Sequence, residues 1–120
     1  MAIIRRHKMA VTTVVNINAD MEYDVYIGRG SLFGNPYRIG WWYKKIKNGI
    51  ECRSISFSGS IKITRKISVQ LYQEWFYKRI KYKNFKLAVL KLKGKRLGCF
   101  CWPLLCHGYV IADYLRKVAA

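Results

Sequence analysis

The spacing of apolar and polar positions changes period several times along the chain, and each change marks an element. Thr12-Thr13-Val14-Val15-Asn16-Ile17-Asn18 is dense in β-branched residues and predicts a first strand. Tyr23-Asp24-Val25-Tyr26-Ile27-Gly28-Arg29 predicts a second, followed by a loop of turn residues over 30–36. Trp41 to Lys47 and Ile50 to Phe57 are β-prone runs joined by Asn48-Gly49, a pair that tolerates positive φ and so predicts a hairpin turn. The period then lengthens. Ile67, Leu71 and Trp75 recur every fourth position with Tyr72, Phe76 and Ile80 beside them, so a helix is expected from an N-cap at Thr64 to about Lys81. Asn84 is expected to cap a shorter helix to Leu92, with Gly94 as its stop. Leu97 to Trp102 reads as a buried strand ended by Pro103, which cannot donate to a ladder. A last helix over Gly108–Val118 would turn Val110, Ile111, Tyr114 and Leu115 inward.

These elements predict an α/β fold, a compact mixed sheet packed by two or three helices. With 120 residues the chain fits a single domain over 1–120, with an N-terminal arm at 1–11 and a basic β-hairpin elaboration at 41–63. Its 52% hydrophobic content argues for a folded core rather than disorder. No apolar run reaches the roughly 18 residues of a membrane span, and the N-terminus lacks the apolar stretch of a signal peptide. Cytoplasmic residence with reduced thiols is therefore the expectation.

Charge sharpens the picture. Residues 1–40 carry five Lys and Arg against three acids, whereas 41–120 carry eighteen against three. A formal net charge of +17 attracts polyanions, namely nucleic acid, the ribosome or an acidic protein. The hairpin is the natural contact for nucleic acid. Trp41, Trp42 and Tyr43 offer stacking faces, and Lys44, Lys45, Lys47 and Arg53 offer phosphate contacts. The same aromatics would equally serve the packed face that any hairpin needs.

The densest chemistry lies within Leu97–Gly108, where Cys99, Cys101, Cys106 and His107 fall within nine residues. They match the ligand types and number of a zinc site, so zinc is a candidate cofactor. Their spacing is not that of two separated Cys-x-x-Cys pairs, and adjacent Cys106 and His107 would diverge by about 100° on a helix. A second reading makes Cys106 and His107 a catalytic pair, the thiol activated by a helix start and an imidazolium. A third packs the cysteines as small hydrophobes, with His107 as a cap. Arg29 and Asp24, with Asn35, would complete a pocket for an anion or nucleotide if the early strands neighbour the cysteine segment. Gly28-Arg29-Gly30-Ser31 lacks the spacing of a dinucleotide fingerprint.

Tyr23 to Arg29, Ser31 and Gly34-Asn35-Pro36 form one block of linked motifs. Thr64-Arg65 with Tyr72-Gln73-Glu74-Trp75 forms a second, and Gly94 to Cys101, Pro103 and Cys106-His107-Gly108 a third. In order and spacing they resemble the domain-of-unknown-function family 4326, whose members occur in bacteria and their phages. The resemblance implies a compact α/β domain in a phage-encoded or bacterial protein and supplies no activity. Tyr109 stands where that family usually has an acidic residue, and 41–63 replaces a shorter family loop. The resulting expectation is a small basic protein that binds nucleic acid or a nucleotide-like ligand through a basic face and a Cys/His/Arg pocket. The alternatives are an enzyme using Cys106 and His107 on a small phosphorylated substrate, and a phage accessory protein that inhibits an acidic host protein.

Overall fold

A computed structural model describes residues 11–19, 21–101 and 104–119. The expected N-terminal arm, apart from Val11, and the Trp102–Pro103 step lie outside the described residues. Among those described, the fold is mixed α/β, with two three-stranded sheets and three α-helices. In chain order the elements are β1 (Thr13–Asn16), β2 (Val25–Tyr26), β3 (Trp42–Ile46), β4 (Gly49–Arg53), β5 (Ile61–Lys62), α1 (Arg65–Arg79), α2 (Lys83–Leu90), β6 (Arg96–Cys99) and α3 (Gly108–Ala119). A single 3-10 turn, Ile17–Ala19, follows β1.

The first sheet is parallel throughout, in the order β1-β6-β2. Its central strand reads Arg-Leu-Gly-Cys, and the last three residues are buried, as a strand flanked on both edges and covered by helices requires. Val14 pairs with Leu97 on one side and Val25 with Leu97 on the other. Leu97, Ile27, Phe76, Val89, Ile111 and Leu115 belong to one continuous core under α1, α2 and α3. The alignment of β2 with β6 is held by a polar clasp. Asp24 N donates to Arg96 O at 2.8 Å, and the Asp24 carboxylate accepts from Arg96 N at 2.7 Å and from the guanidinium at 2.8 and 3.1 Å. Glu22 adds a further contact to Arg96 at 3.2 Å.

The second sheet is antiparallel, in the order β4-β3-β5. The expected hairpin is therefore a three-stranded sheet, because Ile61–Lys62 returns to pair with Trp42 and Tyr43. Its tight turn also sits one residue earlier than Asn48-Gly49 suggests. Lys47 and Asn48 occupy the turn, and Gly49 already pairs with Ile46. Backbone bonds from Gly40 N to Ile63 O (2.8 Å) and from Ile63 N to Trp41 O (2.7 Å) lead this sheet into α1, whose N-cap is Thr64. The Thr64 hydroxyl accepts from Ile67 N at 3.2 Å.

Other boundaries move for local reasons. The second strand shrinks to Val25–Tyr26, because Gly28 to Ser31 folds into a turn closed by Ser31 N and Oγ on Gly28 O. The strand expected to reach Trp102 ends at Cys99. Tyr82, not Asn84, occupies the N-cap position of α2, without a side-chain bond.

Because the Arg96 guanidinium and main-chain N–H both favour the ionised carboxyl, the Asp24 pKa is held well below the usual carboxylate range. A depressed folded pKa contributes stability that is fully present above the unfolded value and is lost as pH falls through the folded one. Urea unfolding of Asp24→Asn should show lower stability than the wild type at pH 6–7. The gap should narrow as pH drops below about 4, near the unfolded Asp pKa. A gap independent of pH would remove the clasp as its source.

Candidate functional site

The C-terminal ends of β2 and β6 and the N-terminal turns of α1 and α3 converge on one cleft of about 550 Å³. Crevices beyond the carboxyl ends of parallel strands are the usual ligand position in open α/β sheets, and this volume suits a small molecule. Cys99, Cys101, Cys106 and His107 line its floor, and Tyr26, Tyr37, Trp41 and Phe100 give it aromatic walls. Arg29, Arg38 and Arg65 also face it, while no Asp or Glu among the described residues does.

The three sulfurs of Cys99, Cys101 and Cys106 lie within 4.8 Å of one another. Cys99 and Cys106 are buried and Cys101 is half-buried. Cys106 Sγ donates to Cys99 Sγ at 3.1 Å and accepts from Gly108 N at 3.4 Å. His107 Nε2 lies 2.8 Å from Ile27 O. A carbonyl only accepts, so Nε2 carries the proton and the neutral ring presents its Nδ1 lone pair, 3.6 Å from Cys106 Sγ. The ring is held edge-on by Tyr72 at 4.9 Å, whose hydroxyl donates to Phe33 O at 2.8 Å.

The electrostatics run against the thiolate–imidazolium pair expected of Cys106 and His107. The hydrogen bond to Cys99, and then burial, push the Cys106 thiol far above its ordinary range, against the lowering effect of Gly108 N–H. Burial lowers the His107 pKa, with Ile27 O opposing it, so the ring is neutral near pH 7. Both shifts favour the neutral thiol of Cys106 and the neutral ring of His107.

Of the residues expected to form a ligand pocket, Arg29 and Asn35 line the cleft and Asp24 does not. Asp24 is spent on Arg96 at the opposite, N-terminal ends of the strands. Asn35 acts as a brace. Its Nδ2 donates to Ser68 Oγ at 2.9 Å, its Oδ1 accepts from Tyr37 N at 2.9 Å, and Ser68 Oγ donates to Tyr37 O at 2.5 Å. This ties the Gly34-Asn35-Pro36 loop to the first turns of α1. A Cβ on Gly34 would meet Gly28 O at 2.7 Å, so the two loops of this wall touch through backbone alone.

The nucleic-acid candidates divide between the cleft and the antiparallel sheet. Trp41 faces the cleft, whereas Trp42, Lys44, Lys45, Lys47 and Arg53 lie on the antiparallel sheet and its turn. Lys44 donates to Ser58 O, Lys45 pairs with Glu74 at 3.2 Å, and Arg53 pairs with Glu51 while lying over Phe57. Cys52 sits opposite Tyr43 in that sheet, apart from the cluster.

Sequence reasoning missed Arg38 and Arg65 as cleft residues. Arg65 did carry a signal. It opens α1, whose first turn holds no acid, although the helix dipole disfavours a cation there. Arg38, stacked over Trp41 at 5.1 Å, follows the Gly34-Asn35-Pro36 turn with no spacing that marks it.

A family model described as "Domain of unknown function (DUF4326)" matches residues 13–117. The chain belongs to this family. Every cleft residue of this DUF4326 member falls within the matched span. A protein of Enterobacteria phage T4, "Uncharacterized 12.4 kDa protein in nrdA-td intergenic region", is 30% identical over 98 residues, covering 81% of this chain and 71% of the relative. No solved structure matches. No helix among the described residues is long and apolar enough to cross a membrane.

The donor set of the cluster, three soft sulfurs from three backbone segments, could hold a metal ion. The brace and the cations should separate under mutation. Asn35→Ala is expected to cost about 1–3 kcal/mol in denaturant unfolding, because it orphans part-buried partners. Arg29→Ala, at an exposed position with no carboxylate partner among the described residues, should stay within about 0.5 kcal/mol of wild type. Equal losses would show that both residues are structural.

Proposed function

We propose that the protein binds a small phosphorylated, ring-bearing ligand of nucleotide type in this cleft, above a cysteine cluster suited to a soft cation such as zinc. The observation that carries the reading is the state of the three arginines. Among the described residues every carboxylate is engaged elsewhere: Glu22 and Asp24 on Arg96, Glu51 on Arg53, Glu74 on Lys45 and Asp113 on Arg116. Arg29, Arg38 and Arg65 have no carboxylate partner there, yet all three edge one concave space. Guanidinium groups match phosphate oxygens in fork geometry, and their field concentrates anions in a low-dielectric cleft.

Two features preorganise the cations. Arg38 is held over Trp41, and an Arg65 Nη donates to Leu105 O at 3.3 Å. Tyr26, Tyr37, Trp41 and Phe100 supply flat apolar faces for a base or similar ring. The N-terminal turns of α1 and α3 add positive ends of helix dipoles on the same side.

Isothermal titration with a nucleoside monophosphate, its nucleoside and inorganic phosphate tests the reading. The monophosphate should bind most tightly. Arg38→Gln and Arg65→Gln should each weaken it about tenfold, or about 1.4 kcal/mol. No binding at millimolar ligand, or affinity unchanged in both variants, rejects the cleft. Binding of polynucleotide that survives both substitutions and is lost on changing Lys44, Lys45 and Lys47 to Glu would move function to the antiparallel sheet.

A further inference from the structure

We infer that Cys99, Cys101 and Cys106 bind a zinc-type divalent cation as three thiolates at the cleft floor, leaving the fourth coordination position open toward the arginines. The three residues arrive on different backbone segments: the end of β6, the loop after it, and the approach to α3. All three lie within the eight residues Cys99 to Cys106, so the β6–α3 connection itself gathers the sulfurs. Zinc–sulfur bonds of about 2.3 Å in a tetrahedron place sulfurs about 3.8 Å apart. The mutual separations, 3.1 Å for Cys99–Cys106 and all within 4.8 Å, bracket that value.

Without a cation the thiols stay protonated, but one backbone donor is already placed to support an anionic sulfur once a cation binds. Gly108 N–H points at Cys106 Sγ from the first turn of α3, where free amides and the helix dipole favour negative charge. His107 donates Nε2–H to Ile27 O, which leaves its Nδ1 lone pair 3.6 Å from Cys106 Sγ as an acceptor facing the thiol. The three sulfurs, two buried and one half-buried, crowd within 4.8 Å of one another. Binding M²⁺ releases three protons to solvent and leaves a centre of net charge −1, which the field of Arg29, Arg38 and Arg65 stabilises.

All three cysteines line the cleft, and Cys101 is the half-buried member nearest to solvent. A cation seated on them thus has its remaining position on the cleft side, for water or a ligand oxygen, as in three-ligand sites that keep an open position. That the open position meets a bound nucleotide rests on the proposed cleft function. The metal site itself does not.

The test uses the full chain, reduced and stripped with chelator, without nucleotide. Zn²⁺ is titrated against a chromophoric competitor, and Co²⁺ serves as a spectroscopic probe. One equivalent should bind, with sulfur-to-cobalt charge-transfer absorption and tetrahedral d–d bands. Bound Zn²⁺ should protect three thiols from alkylation while Cys52 still reacts. Cys101→Ser, at a half-buried position, should keep its circular dichroism, lose at least tenfold in affinity and show weaker charge transfer. Cys52→Ser should match wild type. Absence of saturable uptake by the folded reduced chain, or equal affinity in Cys101→Ser, overturns the site. So does a result in which the chain takes no metal and instead oxidises to a Cys99–Cys106 disulfide. Nucleotide titration is read separately, so loss of metal binding and loss of the cleft reading are distinguishable.

Discussion

Four residues, Arg96 to Cys99, carry both neighbours of the parallel sheet, and the rest of the molecule depends on that ladder. β1 and β2 do not touch each other; each pairs with β6. Leu97 meets the core, Gly98 leaves room for the Tyr23 ring, whose nearest atom a Cβ there would meet at 2.7 Å, and Cys99 delivers a sulfur to the strand's end. Arg96 locks the register through Asp24 at the other end. The strand thus has a structural terminus that is charged and saturated, and a chemical terminus that opens on a cleft.

Much of this was legible in the sequence, and the parts that were not share a cause. The α1 helix, its Thr64 cap and the inward face of α3 follow from local periodicity, which tertiary contacts only reinforce. The gathering of cysteines was visible as clustering along the chain. Their protonation state was not, because it depends on how deeply Cys106 and His107 are buried and on which carbonyl faces the ring. Asp24 looked like a ligand residue because it shares the Tyr23–Arg29 motif with Arg29. The strand between them is only Val25–Tyr26, with Asp24 at its N-terminal end and Arg29 in the turn beyond its C-terminal end, so one became a clasp and the other a rim cation. The hairpin turn moved by one residue because pairing of Ile46 with Gly49 places Lys47 and Asn48 at the tip.

The distribution of acids gives the charge pattern its meaning. A large positive excess by itself signals solubility or general attraction to polyanions. Here the few carboxylates neutralise particular cations: Arg96 at the sheet, Lys45 and Arg53 on the antiparallel sheet, and Arg116 on α3. What remains uncompensated is partly focused in one concavity. In the function proposed above, the field that would draw an anionic ligand would also lower the cost of thiolates on the floor beneath it, so the two proposals depend on the same arginines.

The contact between Gly34 and the Gly28 carbonyl has a further consequence for how this family can vary. A cleft rim built from side chains shifts whenever a neighbour is replaced, whereas here main chain leans on main chain and Asn35 bolts the pair to α1. Exposed positions on those loops, such as Leu32 and Ile39, can therefore drift in sequence without moving the guanidinium of Arg29 or Arg38. Diversification of what the cleft accepts can proceed by exchanging rim side chains on an unmoving frame.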